Sequence, residues 1–116
     1  MKSIDIIKDY ASLSLKKLPE NIRKNGFDYK LIKRTNEKLI YAQYSKSGIC
    51  IGYEFFKNKI KPWRKVKEMW AKKQNDKTDF SNEAEYTEVF PGDEDFGKRA
   101  WNYKTLEQAM LAFDTK

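Results

Sequence analysis

Apolar positions at the start of the chain recur at helical spacing. Ile4, Ile7, Ala11, Leu15 and Leu18 share one face of a helix that Ser3 caps, with Asp5 in its first turn. Pro19 stops this helix and opens a short second turn, PENIRKN, which Gly26 ends. From Phe27 the pattern becomes β-branched and aromatic. FDYKLIKRT, KLIYAQYSK and ICIGYEFFKNKIK read as three strands, with turn signals at Thr35-Asn36-Glu37 and Lys46-Ser47-Gly48. Short loops imply hairpins, so the three strands form a meander. Phe27, Tyr29 and Leu31 share a face of the first; Ile49, Ile51, Tyr53 and Phe55 share a face of the third.

Pro62 ends the third strand. In PWRKVKEMWAKKQNDK, Trp63, Val66 and Trp70 have the spacing of a short amphipathic helix, with a long basic loop as the alternative. EYTEVF reads as a short strand closed by Pro91-Gly92, and KRAWNYKT as a return strand. Thr105 and Gln108 then form a capping box for a last helix, whose apolar face is Leu106, Ala109, Met110 and Phe113. The expected fold is α+β: a small antiparallel sheet, made of a three-stranded meander plus a return strand, packed with N- and C-terminal helices. One domain spans 1–116, with 62–84 as a basic insert or loop within it.

Composition narrows the chemistry. Aromatics at 15% and hydrophobic residues at 40% can build a core in a 116-residue chain, despite 35% charged residues. No apolar run approaches the ~18 residues of a membrane span. The opening MKSIDIIKDY has no signal-peptide core, because Asp5, Lys8 and Asp9 interrupt it, so a cytoplasmic location is expected. There are no histidines, which removes the commonest general base and zinc ligand. The single cysteine, Cys50, lies between Ile49 and Ile51, where a small buried side chain is expected. Asp93-Glu94-Asp95 reads as a solvated turn rather than a Mg²⁺ site, and Gly92 and Gly97 lack a phosphate-loop pattern. No catalytic residue, metal or cofactor is expected, and the chain reads as a non-enzyme.

Charge is unevenly spread. Residues 1–56 sum to +5, residues 57–77 to +7 and residues 78–116 to −5. The middle block carries the candidate binding residues: Lys57, Lys59, Lys61, Arg64, Lys65, Lys67, Lys72 and Lys73 for phosphates, with Trp63 and Trp70 for stacking on bases. Lys57, Lys59 and Lys61 alternate along the third strand and so share a face. The alternative is a solvated face whose tryptophans turn into the core. No RNP or GXXG pattern marks a known nucleic-acid module. The order of elements is similar to that of a double-stranded RNA-binding domain, but the last helix begins TLEQAM, without the lysine-rich start expected there.

In PGDEDFGKRAWNYKTLEQAMLAF, Pro91-Gly92 makes a turn and alternation pairs Arg99, Trp101 and Tyr103 on one face. Trp101 and Tyr103 are expected in the core and Asp93 to Asp95 in water. GYEFFKNKIKP followed by EVFPGDEDFGKRAWNYKTLEQAMLAF resembles a family of small uncharacterised proteins from bacteriophages and gut-bacterial mobile elements. There a YEVF-like strand precedes a variable segment, an FPGNEDFGKxAW-like turn and a TLExA helix; Asp93 stands here where Asn suits that pattern. The likeness spans about the last two-thirds of the chain, outside the first helix and much of 62–84. The resemblance implies a phage or mobile-element accessory protein acting in the cytoplasm of a bacterial host cell, and it brings no site residues. The leading expectation is a binding protein whose basic, Trp-bearing segment meets a polyanion, with nucleic acid first. The alternative is a protein–protein inhibitor of a host defence protein, such as a CRISPR effector complex. No membrane partner is expected.

Overall fold

A computed structural model describes residues 14–79 and 83–116 of the chain. It divides into two compact units: Met1–Leu18 with Lys59–Val89, and Pro19–Asn58 with Phe90–Lys116. The helix expected from Ser3 lies largely outside the described residues. At its described end, Leu15–Lys16 is a strand, β1, not helix.

The second unit is built on a five-stranded antiparallel sheet. Its strands are β2 (Asn21–Lys24), β3 (Phe27–Arg34), β4 (Lys38–Tyr44), β5 (Cys50–Lys57) and β8 (Ala100–Tyr103), side by side in that order. The segment PENIRKN is thus a strand rather than a helical turn. Asn25 and Gly26 both take positive φ, 55° and 83°, and close a β2–β3 hairpin. That is the backbone an Asn-Gly pair adopts when its twist must match two flanking strands. The β3–β4 turn is held by Thr35, whose Oγ1 accepts from the backbone N–H groups of Glu37 and Lys38 at 3.1 and 3.2 Å.

Alternation places Phe55 and Phe56 on opposite faces of β5, and both are fully buried. On one face, Ile40 and Phe55 meet Ala109, Ala112 and Phe113 of the C-terminal helix α2 (Leu106–Thr115). Trp101 stacks on Phe55 at 5.6 Å, as the pattern of β8 predicts for Trp101. Thr105 Oγ1 accepts from Gln108 N at 3.2 Å, so the expected capping box starts α2. On the other face, Tyr29, Tyr41 and Phe56 surround the Phe90 ring at 5.0 to 5.4 Å. Phe90 precedes the turn Gly92–Arg99. There Asp95 accepts from Gly92 N at 3.0 Å and pairs with Arg99 at 3.2 Å. Asp93 and Glu94 are exposed as expected, but Asp95 is tucked in as the brace of the turn.

The first unit has its own sheet of three strands: β1, β7 (Tyr86–Glu88) and β6 (Ile60–Pro62), with β7 in the middle. β1 runs parallel to β7, pairing Leu15 with Tyr86, while β6 runs antiparallel to it. The buried Glu88 carboxylate accepts from Leu18 N at 2.8 Å, which ties the exit of β1 to β7. Pro62 ends β6, and Arg64–Lys73 forms the helix α1, so the segment is helix rather than loop, but its buried residue is Ala71 and Trp70 of the expected apolar face is exposed.

The α+β class stands, but two sheets replace the single sheet expected. The strand drawn from Ile49 to Lys61 breaks at Asn58. There the backbone N–H donates to Glu37 O at 2.7 Å and the side chain to Asn36 O at 2.9 Å. Residues beyond Asn58 pair with β7 instead of continuing β5. Lys57, Lys59 and Lys61 therefore do not alternate along one strand. Cys50 is also not buried as expected. Pairing of β4 with β5 shifts register beside Tyr44, and Ile49, Cys50 and Ile51 all come out exposed.

Candidate nucleic-acid interface

The basic block falls mainly in the first unit. Lys57 ends β5 in the other unit, exposed. Within the first unit, Lys59 leads into β6, Lys61 lies on it, and Trp63 caps the N-terminus of α1. Arg64, Lys65, Lys67, Trp70, Lys72 and Lys73 are all on α1.

α1 forms for local reasons. Its interior holds good helix formers and no glycine or proline, and Lys72 and Lys73 suit its C-terminal turn. Asn75 follows with φ 55°, ending the helix in the left-handed region. At 1.5 Å per residue the helix is about 15 Å long. Ala71 is its buried residue, and Arg64 and Lys67 lie on the same side, half-buried.

Two of the predicted phosphate contacts are occupied within the chain. Arg64 Nη2 donates to Glu85 Oε1 at 2.7 Å, and Lys67 Nζ donates to Glu83 Oε1 at 2.9 Å. The Lys67 hydrogen bond holds the Glu83 carboxyl below the usual carboxylate range. Trp63 is also committed. The ammonium groups of Lys16 and Lys67 lie 4.9 and 4.7 Å from its ring centroid. The cluster of Lys16, Trp63, Lys67 and Glu83 anchors α1 to its sheet and leaves Trp63 poorly placed to meet a base. Nothing in the residue pattern of the block separates Trp63 from Trp70; only the helical phase relative to Ala71 does.

The remaining residues form the open face. Lys65, Lys72 and Lys73 of α1 are exposed, as are Lys59 and Lys61, and none of these side chains meets a carboxylate among the described residues. Trp70 and Met69 are each 60% exposed. Helical spacing sets Met69 one turn from Lys65 and from Lys73, and Trp70 one turn from Val66 and from Lys73. Met69 is the residue that sequence reasoning missed. Its spacing three and four residues from Lys65, Lys72 and Lys73 was the available signal. A groove of about 470 Å³ beside the start of α1 is lined by Arg64 and Lys65 but also by Glu68 and Glu85, so it is not a cationic pocket.

Chemically the face offers ammonium groups and two large apolar side chains. No cluster of His, Cys, Asp or Glu suited to a metal ion occurs among the described residues. No described helix is long and apolar enough to cross a membrane. No family model, curated protein or solved structure matches the chain.

Proposed function

We propose that this chain is a non-enzymatic accessory protein that binds a polyanion, nucleic acid first, through the exposed face of α1 and the neighbouring lysines of β6. The observation that carries the reading is the surplus of exposed cations around two exposed apolar side chains: Lys65, Lys72 and Lys73, with Glu68 the one acid among them on α1, beside Met69 and Trp70. Burial of the tryptophans would have made the block an ordinary solvated surface. Instead Trp63 does the anchoring and Trp70 stays outside. Lysine contacts to phosphate read no sequence and release counterions, so the binding is salt-sensitive and general. The proposed setting is the cytoplasm of a bacterial host of a phage or mobile element.

Filter binding at low and at high salt tests this. Binding at low salt that weakens steeply with salt, and is lost on joint charge reversal of Lys65, Lys72 and Lys73, supports it. Absence of binding to any nucleic acid at low salt overturns it and leaves a protein target as the reading to pursue.

A further inference from the structure

We infer that the preferred ligand of the α1 face is a single strand, gripped by stacking of an unpaired base on Trp70 while Lys65, Lys72 and Lys73 neutralise the flanking phosphates. This rests on the polyanion reading above and narrows it.

Three observations favour unpaired over duplex nucleic acid. The first is the exposure of Trp70. A duplex offers no base faces along its length, whereas every unpaired base offers one, and aromatic stacking of this kind is tolerant of sequence. The second is what the face lacks. A helix that reads the major groove sets Arg or Lys against guanine and Asn or Gln against adenine, and a mixed sequence needs both kinds. Within α1 the one arginine, Arg64, is held by Glu85 at 2.7 Å, Asn and Gln are absent from the helix, and the exposed positions carry lysine, methionine and tryptophan with a single acid, Glu68. The third is the arrangement of charge. Lys73 lies one turn from both Met69 and Trp70, and Lys65 lies one turn from Met69 on the opposite side. Cations thus bracket the apolar pair, as a strand needs when its bases turn toward the protein and its phosphates run along both sides. A helix of about 15 Å spans only two or three nucleotides, so the footprint is short.

Met69 has a specific part in this. It is unbranched and polarisable, and it fills irregular gaps beside an aromatic surface. Next to Trp70 it supplies the apolar floor for the edge of the stacked base or its sugar.

The test is fluorescence anisotropy with labelled oligo-dT, the matching dT·dA duplex and inorganic polyphosphate, each at low and at moderate salt. The variants are W70A, W70F, M69A and the triple reversal K65E/K72E/K73E. The inference predicts that oligo-dT binds at least tenfold more tightly than the duplex. W70A weakens oligo-dT binding about 5- to 100-fold and W70F restores much of it. W70A loses more affinity for oligo-dT than for duplex or polyphosphate, and circular dichroism and a urea midpoint matching the parent show that the variant is folded. The triple reversal abolishes all three. Equal affinity for oligo-dT and duplex, or no effect of W70A on oligo-dT, overturns the single-strand inference while the polyanion reading survives. Failure of all three probes to bind at low salt overturns both.

Discussion

Lys67 rests its ammonium 4.7 Å from the centre of the Trp63 ring while donating to Glu83 at 2.9 Å. One lysine thus serves an aromatic face and a carboxylate together, and both partners are drawn from the chain itself. The arrangement turns a residue that looks like a phosphate ligand into part of the scaffold. Replacing Trp63 by alanine is expected to cost about 2–4 kcal/mol, combining lost ring packing with lost cation–π attraction. Urea denaturation measures this. W63F should recover most of the stability and W63A should weaken polyanion binding through loss of α1 placement. A W63A protein as stable as the parent would refute the anchoring role.

Glu54 gives a pH signature. It is only 5% exposed, on the face of β5 that carries Phe56, and its Oε2 has no hydrogen-bond partner. Burial pushes its carboxyl from the ordinary 4.5 up to about 7, against the opposing pull of Lys24. Burial and the nearby Glu54 charge raise the Tyr29 hydroxyl to about 12. A carboxyl raised in the folded state binds its proton more tightly there than when unfolded. Its contribution to stability is therefore whole below about 4.5 and is lost as pH climbs through about 7. E54Q, which keeps the neutral shape, should match the parent at pH 4.5 and exceed it at pH about 8 by about 2 kcal/mol, allowing for solvent screening. Thermal melts of both proteins across this range decide it. A gap between them that does not widen with pH would contradict the assignment.

The brace of Asp95 on Arg99 is largely shielded from water, with side chains 15% and 13% exposed. Asp95 also accepts from Gly92 N, and Arg99 Nη1 donates to Lys57 O at 2.7 Å, so the pair links the turn to the end of β5. D95A is expected to cost about 2 kcal/mol. A double-mutant cycle with R99A should show coupling of at least about 0.5–1 kcal/mol. Strict additivity of the two would mean that the contact carries no energy.

Gly26 sits at φ 83°, and a Cβ there would lie 3.3 Å from Lys46 Cε. G26A is expected to cost about 1–2 kcal/mol from the left-handed backbone. The lysine end can move aside, so sterics add little. Equilibrium unfolding measures this, and a neutral G26A would mean that the hairpin turn relaxes to another type.

The parts of the fold legible in the sequence are those fixed by local chemistry. Thr105 and Gln108 specify the start of α2 within one turn, and the alternation around Trp101 specifies β8. Asn25-Gly26 was equally local but ambiguous. A glycine after a polar run reads as a helix stop or as a hairpin turn, and only the pairing of Ile22 with Tyr29 decides between them. The break at Asn58 depends on hydrogen bonds to Asn36 and Glu37 in the β3–β4 turn, and the exposure of Cys50 on its register against Tyr44 of β4, neither of which a local pattern reports. In the candidate site, the basic block and its tryptophans were visible in composition. Their division of labour was not, because Glu83 and Glu85 reach α1 from a segment separated in sequence.

The parallel pairing of Leu15 with Tyr86 also sets a timetable. On the ribosome β1 is made early but has no partner until β7 emerges some seventy residues later, whereas the hairpins from β2 to β5 close as soon as they appear. The small sheet thus closes only when β7 appears, and the five-stranded sheet gains β8 and α2 later still, so the hairpins from β2 to β5 are what stands first during synthesis.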